Sequence, residues 1–215
     1  MFGYDLIMID CAWEIELYSD KGLGKAPQAH YECMPIEEIK AMPVGHLASP
    51  DCLLWCWCTA PMVDQALEAV AGWGFKYSTM GTWVKTTKNR KLCFGTGYRL
   101  RSCAEFYIIA TVGRPKTTKG TRNAILGLRR EHSRKPELAY QHCEQLMPGA
   151  RKVDVFSREK RKGWDNWGKE RFKFNVDSTE PIRPLDIDTT ILDLKRSIEL
   201  DMRDLFRLDE LQEGN

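Results

Sequence analysis

Asp10-Cys11-Ala12-Trp13 follows directly on a short apolar run, Tyr4 to Ile9. A carboxylate accepts hydrogen bonds and an indole offers a flat stacking surface. Together they can hold a planar base that carries an exocyclic amine. The same residues also suit a strand-end turn with a capping Asp and a core Trp. Gly95-Thr96-Gly97-Tyr98, with Arg99 and Arg101 just beyond, has glycines that let backbone approach a phosphate or a base. It is neither a Walker loop nor a dinucleotide fingerprint, and a plain loop is its alternative reading. His132 to Pro136 reads as a polar loop opening a helix, where Lys135 would suit a carboxylate or phosphate ligand. Gly163 to Glu170 (GWDNWGKE) follows the strand-like VDVFSR. Its aromatic, amide and acidic groups could clasp a nucleoside, or its two tryptophans could simply pack a loop.

Other chemistries find little support. Cys52, Cys56 and Cys58 share one face of a strand by the period-two rule, with Trp55 and Trp57 on the other. Without paired Cys-x-x-Cys or spaced histidines they read as small core residues, and no metal site is expected. No Gly-x-Ser-x-Gly elbow is present for a hydrolytic triad.

These residues need elements to position them. Tyr4 to Ile9 reads as a buried strand delivering Asp10 at its carboxyl end. Pro35 to Met42 reads as a short helix. Cys52 to Cys58 reads as a strand covered on both faces, preceded by a turn at Pro50-Asp51. Pro61 to Trp73 reads as a helix stopped by Gly74. Tyr77 to Lys85, Glu105 to Val112 and Val153 to Ser157 read as strands, and Pro136 to Leu146 as a helix. Strands alternating with helices predict a doubly wound α/β sheet, mostly parallel, with helices on both faces. Such sheets bind ligands at strand carboxyl ends, which points to Asp10 and to Ser157-Arg158. Residues 1–174 form the expected domain, 175–189 a linker and 190–215 an amphipathic C-terminal helix. Ile191, Leu194, Ile198, Leu205 and Leu208 supply the apolar seam of that helix. It packs on its own domain or joins two copies as a homodimer.

Composition is that of a globular protein: 215 residues, 43% hydrophobic and 29% charged. No apolar run approaches the roughly 18 residues of a membrane span. The start lacks the basic region of a signal peptide, so the eight cysteines are expected to be reduced thiols in the cytoplasm. The net charge of +2 conceals a segregation. Residues 85–135 hold fourteen Lys and Arg against two acids, Glu105 and Glu131. A polyanion such as nucleic acid is the expected partner.

In this order, YDLIMIDCAW, HYECMPIEEI, PDCLLWCWCTAPM, WGFKY, TWVKT, GTGYRLRSCAEF, HSRKPELAY, RKVDVFSR and GWDNWGKE resemble one family. It is the adenine-N6 methyltransferases related to the catalytic subunit of the eukaryotic mRNA adenosine methyltransferase (the MT-A70 family), and small phage and bacterial members look most similar. The resemblance covers roughly residues 4–174. It implies a Rossmann-like fold and S-adenosylmethionine as cofactor, with Asp10 and the Cys11 carbonyl accepting hydrogen bonds from the target amine. By the same resemblance Trp13 stacks the base and Tyr31 lines the adenosine pocket. Lys135 meets the methionine carboxylate, and Phe156, Arg158, Lys169 and Glu170 surround ribose and adenine, with Asp10 beside them. The family motif reads Asp-Pro-Pro-Trp, so Cys11 and Ala12 replace both prolines and remove a stiffening element. Lys169 stands where the family usually has asparagine.

The resemblance thus implies an adenine-N6 methyltransferase acting on DNA rather than RNA, in a bacterial or phage-infected cell. Gly97, Tyr98, Arg99 and Arg101 are the expected substrate contacts within the basic stretch. Three alternatives remain: an RNA adenosine methyltransferase, a nucleic-acid-binding subunit with a degenerate pocket, and a partner protein scaffolded through the C-terminal helix.

Overall fold

The computed structural model describes residues 3–14, 33–97, 99–131 and 133–174. Tyr31, Tyr98, His132 and the expected linker and C-terminal helix lie outside them. The described chain forms β1 (Tyr4–Ile9), α1 (Ile36–Ala41), β2 (Ala48–Cys58), α2 (Val63–Gly72), β3 (Lys76–Thr86), β4 (Ala104–Val112), β5 (Ala124–Leu128), α3 (Glu137–Leu146), β6 (Lys152–Val155) and β7 (Asp165–Trp167).

Local chemistry accounts for the helices. α1 starts after Pro35 with Glu37 and Glu38 in its first turn and Lys40 in its last, so its charges oppose the helix dipole. α2 ends where Gly74 takes φ +85°. There Gly74 N–H donates to the Ala71 carbonyl and Phe75 N–H to that of Val70, which satisfies carbonyls the helix end would leave open. α3 begins directly after Pro136.

The seven strands make one sheet in the order β5-β3-β4-β2-β1-β6-β7. β1 pairs parallel with β2 and β6, β6 with β7, and β3 with β5. β4 runs antiparallel between β2 and β3. The sheet is therefore mixed, and four of its six pairings are parallel, as a mostly parallel sheet requires. β1, β2 and β6 release their carboxyl ends at one edge. The chain moves to one side after β1 and returns on the other with β6, which makes that edge the place for a ligand crevice.

Two apolar layers bury the sheet. Ile7, Ile9, Leu54, Cys52, Cys56 and Cys58 meet Ile39 of α1 and Ala66, Ala69 and Val70 of α2. Leu6, Met8, Trp55, Trp57, Trp83 and Tyr107 meet Ala139, Tyr140 and Cys143 of α3 on the opposite face. The predicted separation of thiols from indoles along β2 holds. Burial pushes the Cys52 and Cys58 thiols up to about 12, so they stay protonated, as core residues do. No group of His, Cys, Asp or Glu suited to a metal occurs among the described residues. Trp55 and Tyr107 stack at 3.9 Å. The phenol crosses Gly81 so closely that a Cβ there would lie 2.1 Å from it.

Several expectations are corrected. β2 begins at Ala48, four residues early, and absorbs Pro50-Asp51. Its pairing with β1 shifts between Tyr4 and Leu6, so the proline sits at an irregularity where no ladder bond is lost. Asp51 Oδ1 instead accepts the Arg114 N–H at 2.6 Å. β5 carried no strand signal, because its five residues alternate only weakly around Gly127. β7 replaces an expected loop; it is a three-residue edge held by β6. The basic stretch is also divided. β4 carries the chain away from the edge where β1 ends, so Arg114, Lys116, Lys119 and Arg122 lie at the far end of the sheet.

Candidate active site

A cavity of about 340 Å³ opens at the carboxyl end of β1, with Asp10, Cys11 and Trp13 in its lining. Lys135 reaches into it from the loop before α3. Its Nζ lies 2.9 Å from Asp10 Oδ1 and 2.9 Å from Glu105 Oε2. Lys85, at the end of β3, pairs with the other Glu105 oxygen. Two lysines and two carboxylates thus alternate across the cavity, and the Lys135 ammonium also faces the Trp57 ring at 5.2 Å.

Burial governs the protonation of this row. It raises the Asp10 carboxyl above the usual range, against the lowering pull of Lys135. Burial also opposes the charge of Glu105, but Lys135 and Lys85 outweigh it and hold that carboxyl at about 2. Lys135 loses solvation too, yet Asp10 and Glu105 lift its value above that of an ordinary lysine.

The turn after β1 is braced without proline. Trp13 N–H donates to the Cys11 carbonyl at 2.9 Å, and Met34 N–H to the Ala12 carbonyl at 2.8 Å. The Trp13 indole, almost wholly buried, donates to the Trp57 carbonyl at 3.1 Å. These bonds supply the stiffness that Cys11-Ala12 gives up. Trp13 therefore belongs to the core and also lines the cavity. The Cys11 carbonyl keeps a second lone pair for a ligand.

Four of the six expected cofactor residues meet at a small adjoining cleft at the carboxyl ends of β1 and β6. Asp10, Lys135, Phe156 and Arg158 line it together with Ser157, Tyr140 and Asp154. Phe156 holds φ +63°, a left-handed conformation that turns the chain sharply as β6 ends. Arg158 pairs with Glu170 at 3.1 Å, which brings the GWDNWGKE segment to the same cleft. Lys169 is exposed and does not line it. Gly95 and Thr96 line the main cavity, but Gly97, Arg99 and Arg101 lie exposed on its outer wall. Arg101 donates to the Gly97 carbonyl at 3.2 Å.

Sequence reasoning missed two carboxylates. Glu105 was visible as one of two acids in a basic stretch, although only the fold shows that it faces Lys135. Glu159 is buried and binds Arg134 at 2.7 Å and Arg161 at 2.6 Å, with Arg130 at 3.7 Å. It ties the loop carrying Lys135 to the turn carrying Arg158. Ion pairing thus consumes part of the basic stretch that composition assigned to phosphate.

Asp154, on β6 beneath this cleft, accepts the Tyr140 hydroxyl at 2.9 Å. Burial pushes its carboxyl up to about 7, against the hydrogen bond from Tyr140. An acid whose folded value exceeds its unfolded value of about 3.9 favours the fold most below that value, and the benefit is lost as pH rises through about 7. Asp154→Asn keeps an acceptor and removes the titration. The variant is expected to gain up to about 4 kcal/mol over the native chain at pH 8 and nothing near pH 4. Thermal melts at both pH values test this, and a gain independent of pH would sink it.

The sheet defines a Rossmann-like α/β domain whose cavity lies at its strand carboxyl ends. The MT-A70 family profile matches residues 4–170, and the chain belongs to the MT-A70 family. It is 30% identical over 144 residues to the type II methyltransferase M.MunI of Mycoplasma sp, covering 65% of this chain and 59% of that protein. It is 27% identical over 172 residues to a putative N(6)-adenosine-methyltransferase MT-A70-like protein of Medicago truncatula, covering 78% and 26%. With the N(6)-adenine-specific methyltransferase METTL4 of Mus musculus it shares 26% over 187 residues, covering 80% and 38%. The chain thus spans between about a quarter and three fifths of the length of these relatives. Among the described residues no helix is long and apolar enough to cross a membrane.

Proposed function

We propose that this chain transfers a methyl group from S-adenosylmethionine to the N6 amine of adenine in nucleic acid, with DNA as the polymer. The observation that carries the reading is the pair of acceptors at the end of β1, the Asp10 carboxylate and the Cys11 carbonyl, inside a cavity edged by Trp13. The relatives named as adenine or adenosine N6 methyltransferases support it. The choice of DNA rests on the likeness to small bacterial and phage members.

The residues around the small cleft at the carboxyl ends of β1 and β6, about 20 Å³ in volume, suit the groups of the cofactor chemically. They offer cations, Lys135 and Arg158, for a carboxylate, and acids, Asp10 and Asp154, for an ammonium and hydroxyls. Phe156 supplies an apolar surface, and Glu170 reaches the rim through Arg158. Lys169 is exposed and stands outside the lining. When bound, S-adenosylmethionine supplies a methyl group on a sulfonium.

The adenine amine is a poor nucleophile because its lone pair is delocalised into the ring. Asp10 accepts one amine hydrogen through Oδ2, the oxygen that Lys135 does not hold. The Cys11 carbonyl accepts the other. Two acceptors below the ring plane draw the nitrogen toward a tetrahedral shape and free its lone pair. Lys135 favours the ionised form of Asp10 against the pull of burial, and Glu105 holds Lys135 in place. The protein's contribution is positioning and electrostatics, and no covalent enzyme intermediate is required. Exposed Arg129, at the cavity mouth, is placed for a phosphate.

The test is transfer of labelled methyl from S-adenosylmethionine to mixed-sequence DNA and RNA, single- and double-stranded, followed by nucleoside mass spectrometry. N6-methyladenine is expected in DNA. Product in RNA alone would correct the polymer. No product in any polymer, with nucleic acid still bound, would replace this reading with that of a binding subunit.

A further inference from the structure

Phe94 and Leu100 are 79% and 86% exposed, the two most exposed large apolar side chains among the described residues. Neither takes part in the chemistry derived above. Both stand on one arm, residues 93–97 and 99–102, that leaves and rejoins the sheet beside the cavity. Its base is tied by Cys93 N–H to the Lys85 carbonyl at 2.9 Å and by Gly95 N–H to the Ser102 carbonyl at 2.8 Å. Ser102 N–H donates to the Thr96 carbonyl at 3.0 Å. The two sides of the arm approach so closely that a Cβ at Gly97 would lie 1.9 Å from the Leu100 carbonyl oxygen. Gly95, Thr96 and Ser102 of this arm also line the cavity that holds Asp10. The arm is therefore a wall of that cavity, and it carries Phe94 and Leu100 exposed and outside the cavity lining.

Its charge selects the partner. The Arg101 guanidinium lies over the Phe94 ring at 5.5 Å. Arg99 is exposed on the same arm, and Lys88, Arg90 and Lys91 are exposed on the adjoining turn after β3. Residues 86–104 contain no acid. Two copies meeting through this surface would set like charges against each other. A duplex offers phosphates to the cations and a base stack to the apolar tips.

We propose that Phe94 and Leu100 form a wedge that enters the base stack of duplex DNA beside the target adenine and fills the space left as that base turns into the Asp10 cavity. The inference rests on the methyl-transfer reading above. A base inside a duplex cannot reach a recessed carboxylate without leaving the stack, and inserted apolar side chains offset the cost of unstacking.

The test compares the native chain with the Phe94→Ala/Leu100→Ala variant on three DNA substrates. They are a paired duplex, the same duplex with an abasic site opposite the target adenine, and the single strand. On the paired duplex kcat/KM is expected to fall by about tenfold or more. On the other two substrates the variant is expected to stay within about threefold of native, because the base is already released. Equal losses on all three substrates, or no loss on the duplex, would overturn the wedge. So would native activity confined to single strands. Sedimentation velocity adds a further check: a native dimer that the variant splits would assign the arm to contact between copies and overturn the proposal. Absence of native methylation on all three substrates would instead remove the functional reading on which the wedge rests.

Discussion

Asp10→Asn is expected to lower the methyl-transfer rate by about three orders of magnitude or more, as severely as Asp10→Ala. The substitution keeps the shape of the side chain, so the reason lies in hydrogen-bond direction. Lys135 Nζ sits 2.9 Å from Asp10 Oδ1 and carries only donors. An asparagine there must turn its carbonyl oxygen to the lysine. Its amide nitrogen then faces the substrate amine, donor against donor. The Cys11 carbonyl is left as the single acceptor, and the amine stays planar with its lone pair in the ring. Alanine removes the clash but also the acceptor. Single-turnover transfer of labelled methyl, beside thermal melts that verify folding, measures the effect. An Asn variant within tenfold of native would show that Asp10 does not engage the amine. The native rate should also fall with acid at a pH above the usual carboxylate range, because burial raises the Asp10 carboxyl. Protonation then removes the acceptor as the substitution does.

The parts of this site that the sequence disclosed are those where one residue type marks an element end. Asp10 could be placed because a continuous apolar run stops there. Lys135 could be placed because Pro136 opens a helix directly after it. The ordered motifs and their family likeness then tied both to one site. The alternation of thiols and indoles along β2 was legible because the period-two rule is local. What stayed hidden depends on strand pairing. Glu105 reads as an ordinary strand residue until antiparallel β4 is set beside β2 and its carboxylate meets Lys135. Glu159 reads as a surface charge until three arginines from two segments close on it. The basic stretch read as one patch because charge was counted along the chain, whereas β4 reverses direction and sends four cations to the far end. β7 went unread because three half-exposed residues carry no pattern of their own. The missing prolines pointed to a looser turn. The bonds that brace it come from Met34 and Trp57, partners that the segment itself does not contain.

Lys135→Met is expected to damage both stability and chemistry, and its dependence on pH separates the two. In the native chain the buried ammonium lies between two partly buried carboxylates. Its folded value is raised, so its stabilising contribution is complete below the ordinary lysine value of about 10.4 and constant through neutral pH. Glu105 behaves oppositely. Its folded value of about 2 means that its contribution is full above about 4.3 and is lost as pH falls from there toward 2. Methionine fills the lysine's volume without charge and leaves Asp10 and Glu105 facing each other. Removing one partner from a buried pair costs about 3–5 kcal/mol. Here both carboxylates are about a fifth exposed and Glu105 keeps Lys85, so about 2 kcal/mol is expected at pH 8, and the variant should melt below the native chain. Toward pH 5 one carboxyl takes up a proton, the repulsion ends and the deficit shrinks. The same proton silences Asp10, so the acid limb of the variant's rate profile moves to higher pH than in the native chain. Lys135→Arg keeps the charge and should recover most of the stability. It should recover less of the rate, because a planar guanidinium cannot sit at the single point where both carboxylates now meet the ammonium. Melts at pH 5 and pH 8 and a pH–rate profile for all three chains test this. A methionine variant whose melting deficit is the same at both pH values would show that the lysine acts through packing rather than through the carboxylates it joins.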